Sequence, residues 1–150
     1  MDITYKILKY LRILHDQPFG NKIKGSKDEY NQLYLEAKSI NYELSNKIEK
    51  RFEFQIDKIY LDNLALHTQV VIKNSKLNYQ HGRLLYSILS YYINNILERK
   101  NNEVINILET GTARGFSSIC MSKALIDNEI PGKILTIDQI SHKSKIYWNC

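Results

Sequence analysis

The spacing of the apolar residues changes near residue 100, from a helical repeat to short continuous runs. Before that point hydrophobic side chains recur every three or four residues, which places them on one face of a helix. Beyond it, apolar runs at 104–108 and 133–137 flank a helical pattern that begins at Phe116. Short apolar runs bounded by turn residues are typical of buried strands. The pattern therefore predicts a helical N-terminal region followed by a strand–helix–strand unit.

Three long helices are predicted before the first strand. The first covers residues 3–14 and begins after Asp2, the second begins at Ser26 and runs to about residue 54, and the third covers residues 83–99. Ser26 and Glu29 match a capping box, in which each side chain accepts a hydrogen bond from the other residue's backbone. Their predicted apolar faces are Ile3, Ile7, Leu11 and Leu14 in the first helix, Tyr30, Leu33, Ala37, Ile40, Leu44 and Ile48 in the second, and Leu84, Leu85, Ile88, Leu89, Tyr92 and Ile96 in the third.

The second helix carries a near-heptad seam, with apolar spacings of 3-4-3-4-4. Such a seam packs against another helix. The first and third helices of the same chain are one source of that partner, and a second subunit is the other. The sequence leaves both open, so a homo-oligomer formed through the N-terminal helices stays an alternative.

Residues 55–80 have a less regular pattern. Apolar residues at 61–66 indicate a short helix, the β-branched residues at 70–72 favour extended chain, and turns are expected near Asn74 and at 78–82. His67 and His81 have no histidine four residues away and no neighbouring cysteine, so no metal site is predicted. Each histidine is expected to hydrogen-bond the local backbone.

The bulk composition narrows the class of protein without naming a function. A chain of 150 residues with 43% hydrophobic and 25% charged residues is expected to form one soluble domain. No secretory signal and no membrane span are predicted, and two cysteines without metal-ligand spacing favour a reducing cytoplasm. The net charge of +5 is scattered along the chain, which favours a solvated surface over a nucleic-acid interface.

The sharpest candidate chemistry lies where the two predicted strands end. Glu109 closes the first strand and Asp138 closes the second, and ligands of α/β folds bind at this edge of the sheet. Gly111 and Gly115 form the turn between the first strand and the helix that begins at Phe116. Glycine lets backbone approach a ligand closely, and the free N–H groups of the helix N-terminus point at it.

Three classes of ligand compete for this turn. A dinucleotide site has G-x-G-x-x-G, whereas Gly111 and Gly115 are four residues apart, and a P-loop has Gly-Lys-Ser/Thr, which is absent here. Glu109 would repel a pyrophosphate and suits a cationic amine or sulfonium. Ser117 and Ser118 add hydroxyl donors in the first turn of the helix. An acid after the second strand can accept both hydroxyls of a ribose.

The residues at 109–115, ETGTARG, resemble the E/D-x-G-x-x-x-G motif of class I S-adenosylmethionine-dependent methyltransferases. LTID at 135–138 resembles the second motif of that family. The wider pattern LETGTARGFSS…GKILTIDQI, preceded by YQHGRLLYSIL, is similar to small-molecule O-methyltransferases of the macrocin-O-methyltransferase and cephalosporin-hydroxylase-like group. The resemblance spans about residues 79–142 and is weak or absent over residues 1–60. Thr110 departs from the more usual aliphatic residue.

The resemblance implies a binding site for S-adenosylmethionine. Its residues would be Glu109, Gly111, Thr112, Ala113, Gly115, Asp138, Gln139 and Ile140. The first five would hold the methionine part of the cofactor, Asp138 would bind the ribose hydroxyls, and Gln139 or Ile140 would border the adenine. No catalytic base can be assigned, because His142 is expected in a solvent-exposed loop. Cys120 falls on the apolar pattern and is expected to be buried.

The combined interpretation is an α/β protein. Residues 1–80 are expected to form a helical cap, and residues 81–150 the first βαβ unit of a Rossmann-like domain. Twelve residues follow Asp138, so the chain is expected to be truncated and inactive alone. The predicted function is methylation of a small-molecule hydroxyl, on a sugar or secondary metabolite. A non-catalytic helical interaction module and a nicotinamide-dependent enzyme are the alternatives.

Overall fold

The computed structural model describes residues 23–73, 75–97 and 104–139. Within these ranges the chain is a mixture of helices and a parallel two-stranded sheet, which confirms an α/β protein at that level. The predicted helix at 3–14 lies outside the described residues. The elements are α1 (Lys27–Ser39), α2 (Glu43–Phe52), α3 (Lys58–Thr68), α4 (His81–Tyr91) with a π-helical extension (Tyr92–Ile96), β1 (Ile105–Thr110), α5 (Phe116–Asp127) and β2 (Gly132–Ile137).

The predicted single helix from Ser26 to residue 54 is wrong, because the chain breaks into α1 and α2. The capping box at the start is confirmed, with the Ser26 hydroxyl accepting from the Glu29 N–H at 3.2 Å. At the other end Ser39 Oγ donates to a carbonyl of the last turn, and Ile40 is extended, with φ −72° and ψ 127°. Such side-chain bonds compete with the helical ladder. The predicted seam is therefore interrupted, and Leu44 is 68% exposed.

The short helix predicted near residues 61–66 is confirmed as α3, which Asp57 caps by accepting from the Tyr60 N–H at 2.6 Å. The β-branched residues after it form no strand. Instead, Val70 and Val71 are buried in an irregular segment. Apolar side chains of this segment join α1, α3, α4 and α5 in one core. Its buried members are Tyr30, Ala37, Ile56, Leu61, Ala65, Val70, Leu77, Tyr79, Tyr86, Phe116, Cys120 and Ala124.

Helix α4 begins two residues before the predicted start and turns a different face inward. Of the predicted apolar face, Leu89 packs against the core, but Ile88, Tyr92 and Ile96 are 49%, 39% and 59% exposed, so the prediction is wrong for these three residues. The buried residues of the helix and its π-helical extension are Gly82, Tyr86, Ser87, Ser90 and Ile93. Small residues on this face allow a close approach of α5. Close packing of the two helices therefore determines which face is buried, rather than the predicted row of apolar side chains.

Gly82 shows how close that approach is. A Cβ atom at Gly82 would lie 2.7 Å from ring carbons of Phe116 and 2.8 Å from Cys120 Sγ. The other end of the helix pair is held by polar groups, since Tyr86 Oη donates to Asp127 Oδ2 at 2.8 Å. Helix α5, which connects the two strands, is therefore fixed against α4 at both ends.

The two strands pair in parallel, from Ile105 opposite Gly132 to Thr110 opposite Ile137. One face of the sheet is half-buried and packs against α5. On the other face Leu108, Leu135 and Ile137 are 64%, 64% and 54% exposed. Within the described residues this outer face is uncovered, although parallel strands of this composition are normally covered on both sides. In the same part of the chain, no helix is long and apolar enough to cross a bilayer.

Candidate functional site

The turn after β1 has a backbone that few residues adopt readily. Gly111, Ala113 and Gly115 all have positive φ angles, of 89°, 46° and 78°. Glycine accepts this conformation without cost, but Ala113 pays about 1 kcal/mol for it. Glycine therefore suits the backbone of the turn at positions 111 and 115, whereas Ala113 between them is strained.

Hydrogen bonds tie this turn to the end of β2. The Gly111 N–H donates to the Ile137 carbonyl at 2.7 Å, which extends the ladder by one residue. The Ala113 N–H donates to Asp138 Oδ2 at 2.6 Å. The Gly115 N–H donates back to the Thr112 carbonyl at 2.7 Å and closes the turn. The acid after β2 therefore belongs to the same turn as the glycines after β1.

The structure brings together most of the residues that the sequence nominates. Glu109, Gly111, Thr112, Ala113, Gly115 and Asp138 surround one turn at the carboxyl edge of the sheet. Gln139 follows directly and is exposed. Ile140 and His142 lie outside the described residues.

Glu109 is half-buried and reaches the helix that follows the turn. The Ser118 hydroxyl, in the first turn of α5, donates to Glu109 Oε2. A carboxylate at a helix N-terminus is stabilised by the free N–H groups and the positive end of the helix dipole. Glu109 is thereby held beside the turn, and one of its carboxylate oxygens accepts the hydrogen bond from Ser118.

His81 is a neighbour of this site that sequence reasoning missed. His81 keeps an exposed surface, and its ring makes a T-shaped contact with Phe116, with ring centroids 4.8 Å apart. Burial lowers the pKa of His81, the charge of Lys73 lowers it further, and the charge of Glu109 opposes both. The sequence feature that could have indicated this position for His81 is the glycine that follows it. Because Gly82 has no side chain, the start of α4 can approach Phe116 closely.

The remaining candidate groups have structural surroundings. His67 bonds the Asn63 carbonyl at 2.7 Å, as predicted. Cys120 is fully buried, as predicted, and burial raises its pKa to about 12, which suppresses its reactivity. No group of three or more His, Cys, Asp or Glu side chains in the described ranges is arranged to hold a metal ion.

The turn is also connected to the helical region. Arg114 Nη1 donates to the Val70 carbonyl at 3.4 Å, across 44 residues of sequence. The irregular segment after α3 thus contacts the turn after β1. A ligand at the turn would lie at the boundary between the helical region and the sheet.

Comparisons with known proteins assign no family, since no family model, no curated protein and no solved structure matches the chain. What the residues can do is therefore argued from the site. Two carboxylates, the N-terminus of α5 and a glycine turn meet at one edge of a parallel sheet. Such an arrangement suits a ligand that carries a cationic group and hydroxyls.

Proposed function

We propose that this chain carries the cofactor-binding part of a class I S-adenosylmethionine-dependent methyltransferase that methylates a small-molecule hydroxyl. The observation that carries the proposal is the meeting of two strand-end acids at one glycine turn, where Asp138 accepts from Ala113 N–H at 2.6 Å. Ligands of open α/β sheets bind at this edge. The order β1–turn–α5–β2, with parallel pairing, supports a Rossmann-like unit.

The two acids would each bind a different part of the cofactor. Glu109 would pair with the methionine amine, whose positive charge compensates a half-buried carboxylate. Asp138 would accept the ribose hydroxyls while it still holds Ala113, because a carboxylate has two oxygens and several acceptor positions. Gln139 and Ile140 would border the adenine. The backbone of Thr112 and Ala113 would line the methionine part.

The cofactor supplies an electrophilic methyl group on a sulfonium. Glu109 and Asp138 would hold the cofactor at the turn, where its methyl group would be available to an acceptor hydroxyl that gives up its proton. The protein's own task is to hold the acceptor in line and to remove that proton. The acceptor and the base are not assigned to residues of the described ranges.

Calorimetric titration of the chain with S-adenosylmethionine tests the proposal. We expect saturable binding that Asp138→Asn weakens about tenfold or more, because the amide keeps a carbonyl for Ala113 but loses the charge for the ribose. Glu36→Gln is the matched control, since Glu36 is an exposed acid of α1 that bonds Gln32 and lies outside the turn. Equal affinity of all three proteins would contradict the assignment of Asp138.

Two alternatives give different results in the same titration. Binding of NADH but not S-adenosylmethionine would replace the proposal by a nicotinamide-dependent enzyme. Binding of neither ligand, together with self-association in analytical ultracentrifugation, would favour the non-catalytic helical module. The interrupted seam between α1 and α2 weakens that alternative, because its exposed residues no longer form one continuous stripe.

A further inference from the structure

A cavity lies in the helical region, away from the glycine turn. It measures about 370 Å³ and opens between the end of α1, the helices α2 and α3, and the start of α4. That volume is within the usual range for small-molecule pockets and equals that of about twelve liquid waters. Most of its lining is polar or charged. The side chains that define its chemistry are Lys38, Asn46, Glu49, Lys58, Asp62 and Arg83.

One wall of the cavity is a fixed, neutral ion pair. Glu49 is 4% exposed, and Arg83 Nε donates to its Oε1 at 2.8 Å while Nη2 donates to Oε2. The guanidinium also donates to Gln80 Oε1 at 2.8 Å and to Asn46 Oδ1 at 2.6 Å. A bidentate pair with these added bonds has both charges satisfied. This wall is rigid and carries no net charge.

Another part of the lining, around Asp62, has more positive than negative charge. Asp62 is 4% exposed, and its Oδ1 accepts from the Tyr79 hydroxyl at 2.8 Å. Its Oδ2 is shared by two ammonium groups, with Lys58 Nζ at 2.7 Å and Lys38 Nζ at 3.5 Å. Tyr79 stays neutral because burial raises its pKa, as does the bond to Asp62. Two lysines therefore share one carboxylate, and one positive charge is left over.

The two lysines are free to reach a ligand. The Lys38 and Lys58 side chains are 45% and 71% exposed, whereas that of Arg83 is 19% exposed. Because buried Asp62 keeps Tyr79 and the other ammonium group as partners, one lysine can turn toward an anion without leaving the carboxylate unpaired. The amides of Asn41 and Gln55 also line the cavity and can donate or accept hydrogen bonds.

We infer that this cavity binds a small polar molecule with one anionic oxygen group, held between Lys38 and Lys58, its other polar groups facing the amides. A phosphate ester and a carboxylate share this chemistry. The inference is independent of the proposed cofactor site, because none of the residues around the glycine turn lines this cavity.

Chemical shifts of the ¹⁵N-labelled full chain test the inference. One arm uses inorganic phosphate and glucose 6-phosphate, and the other uses acetate and malate; glucose is the neutral control. We expect saturable shifts at the amides around the cavity from at least one anionic arm, at about millimolar concentration, and none from glucose. The arm with the tighter binding identifies the anionic group. No cavity shift from any anion at about 10 mM would overturn the inference.

A charge-matched pair of variants separates a site from general attraction. Lys38→Gln leaves the closer Lys58–Asp62 pair in place, so the variant is expected to fold. Lys47→Gln removes the same charge from an exposed pair with Glu43 on α2, outside the cavity. We expect Lys38→Gln to weaken binding about tenfold and Lys47→Gln to leave it unchanged. Equal weakening in both variants would overturn the inference, because it would show attraction to the net charge alone.

Discussion

Asp138, directly after β2, accepts a hydrogen bond from the backbone N–H of Ala113 at 2.6 Å, in the turn after β1. The bond joins two loops that are 25 residues apart in sequence. It also holds Ala113 at a positive φ angle. The same carboxylate that we propose for ribose binding is therefore part of the structure of the turn itself.

This double role separates two substitutions of Asp138. Asp138→Ala removes the acceptor, and we expect it to lower the free energy of unfolding by about 2 kcal/mol, because the bond to a charged group is lost. Asp138→Asn keeps a carbonyl and is expected to lose about half of that. Urea denaturation measures both. Equal losses would mean that the charge, and not the acceptor, holds the turn.

The strained φ angle at Ala113 gives a substitution that we expect to stabilise. Ala113→Gly should raise the free energy of unfolding by about 0.5–1 kcal/mol, since glycine adopts φ 46° without the Cβ penalty. Gly115→Ala is the opposite change at φ 78°, in open space, where the nearest atom to an added Cβ is Ile119 Cδ1 at 3.9 Å. It should destabilise by about 1 kcal/mol. Thermal denaturation in which both changes shift the midpoint in the same direction would contradict this reading.

The close contact of α4 with α5 is tested at Gly82. Gly82→Ala places a methyl group 2.7 Å from Phe116, and we expect a loss of about 1–3 kcal/mol by overpacking. Ile88→Ala, on an exposed face of the same helix, should cost about 0.5 kcal/mol or less. Urea denaturation compares the two. A larger loss at Ile88 would mean that the apolar stripe is buried after all.

The ion pair between α2 and α4 should be sensitive to the removal of one partner. Glu49→Gln leaves Arg83 without its charge partner at a largely buried position, and we expect a loss of about 3 kcal/mol. Glu43→Gln on the same helix breaks only an exposed pair with Lys47 and should cost about 0.5 kcal/mol or less. The comparison is made by urea denaturation at low salt. A loss at Glu49 no larger than that at Glu43 would contradict a rigid wall in the cavity.

The thiol of Cys120 should be unreactive in the folded chain. Burial raises its pKa to about 12, so at pH 8 the thiol is protonated as well as inaccessible. In the Cys150→Ser variant, which keeps only this thiol, we expect reaction with a disulfide reagent to require denaturant. The rate in urea provides the reference. Rapid reaction in native buffer would show that α5 is not packed against α4.

Features that depend on neighbouring residues were predicted from the sequence. The capping box at Ser26 and Glu29, the helix near Leu61 and the burial of Cys120 follow from spacing of a few residues. The structure also brings Glu109, Gly111, Ala113 and Asp138 together at one turn, while their role in binding a cofactor stays a prediction. The ends of parallel strands meet at one edge, so Glu109 and Asp138 were expected to be near each other.

Features that depend on contacts distant in sequence were not predicted. The inward face of α4 is chosen by the fit of Gly82 and Ser90 to α5, which hydrophobic spacing does not contain. The break at Ile40 depends on local side-chain bonds that compete with an otherwise continuous helical pattern. His81 reaches the site only because α4 and α5 touch. The assignment of a cofactor stays a prediction that the titration described above tests.

The uncovered face of the β1–β2 sheet has a consequence for the fate of the chain in a cell. Among the residues that the structure describes, none covers this face, where Leu108, Leu135 and Ile137 are each more than half exposed. Chaperones hold proteins by surfaces of this kind, which partly folded chains also display. We therefore expect a chaperone of the holdase type to bind the chain while this face is exposed. Covering of the face by another segment or protein would then favour release over degradation.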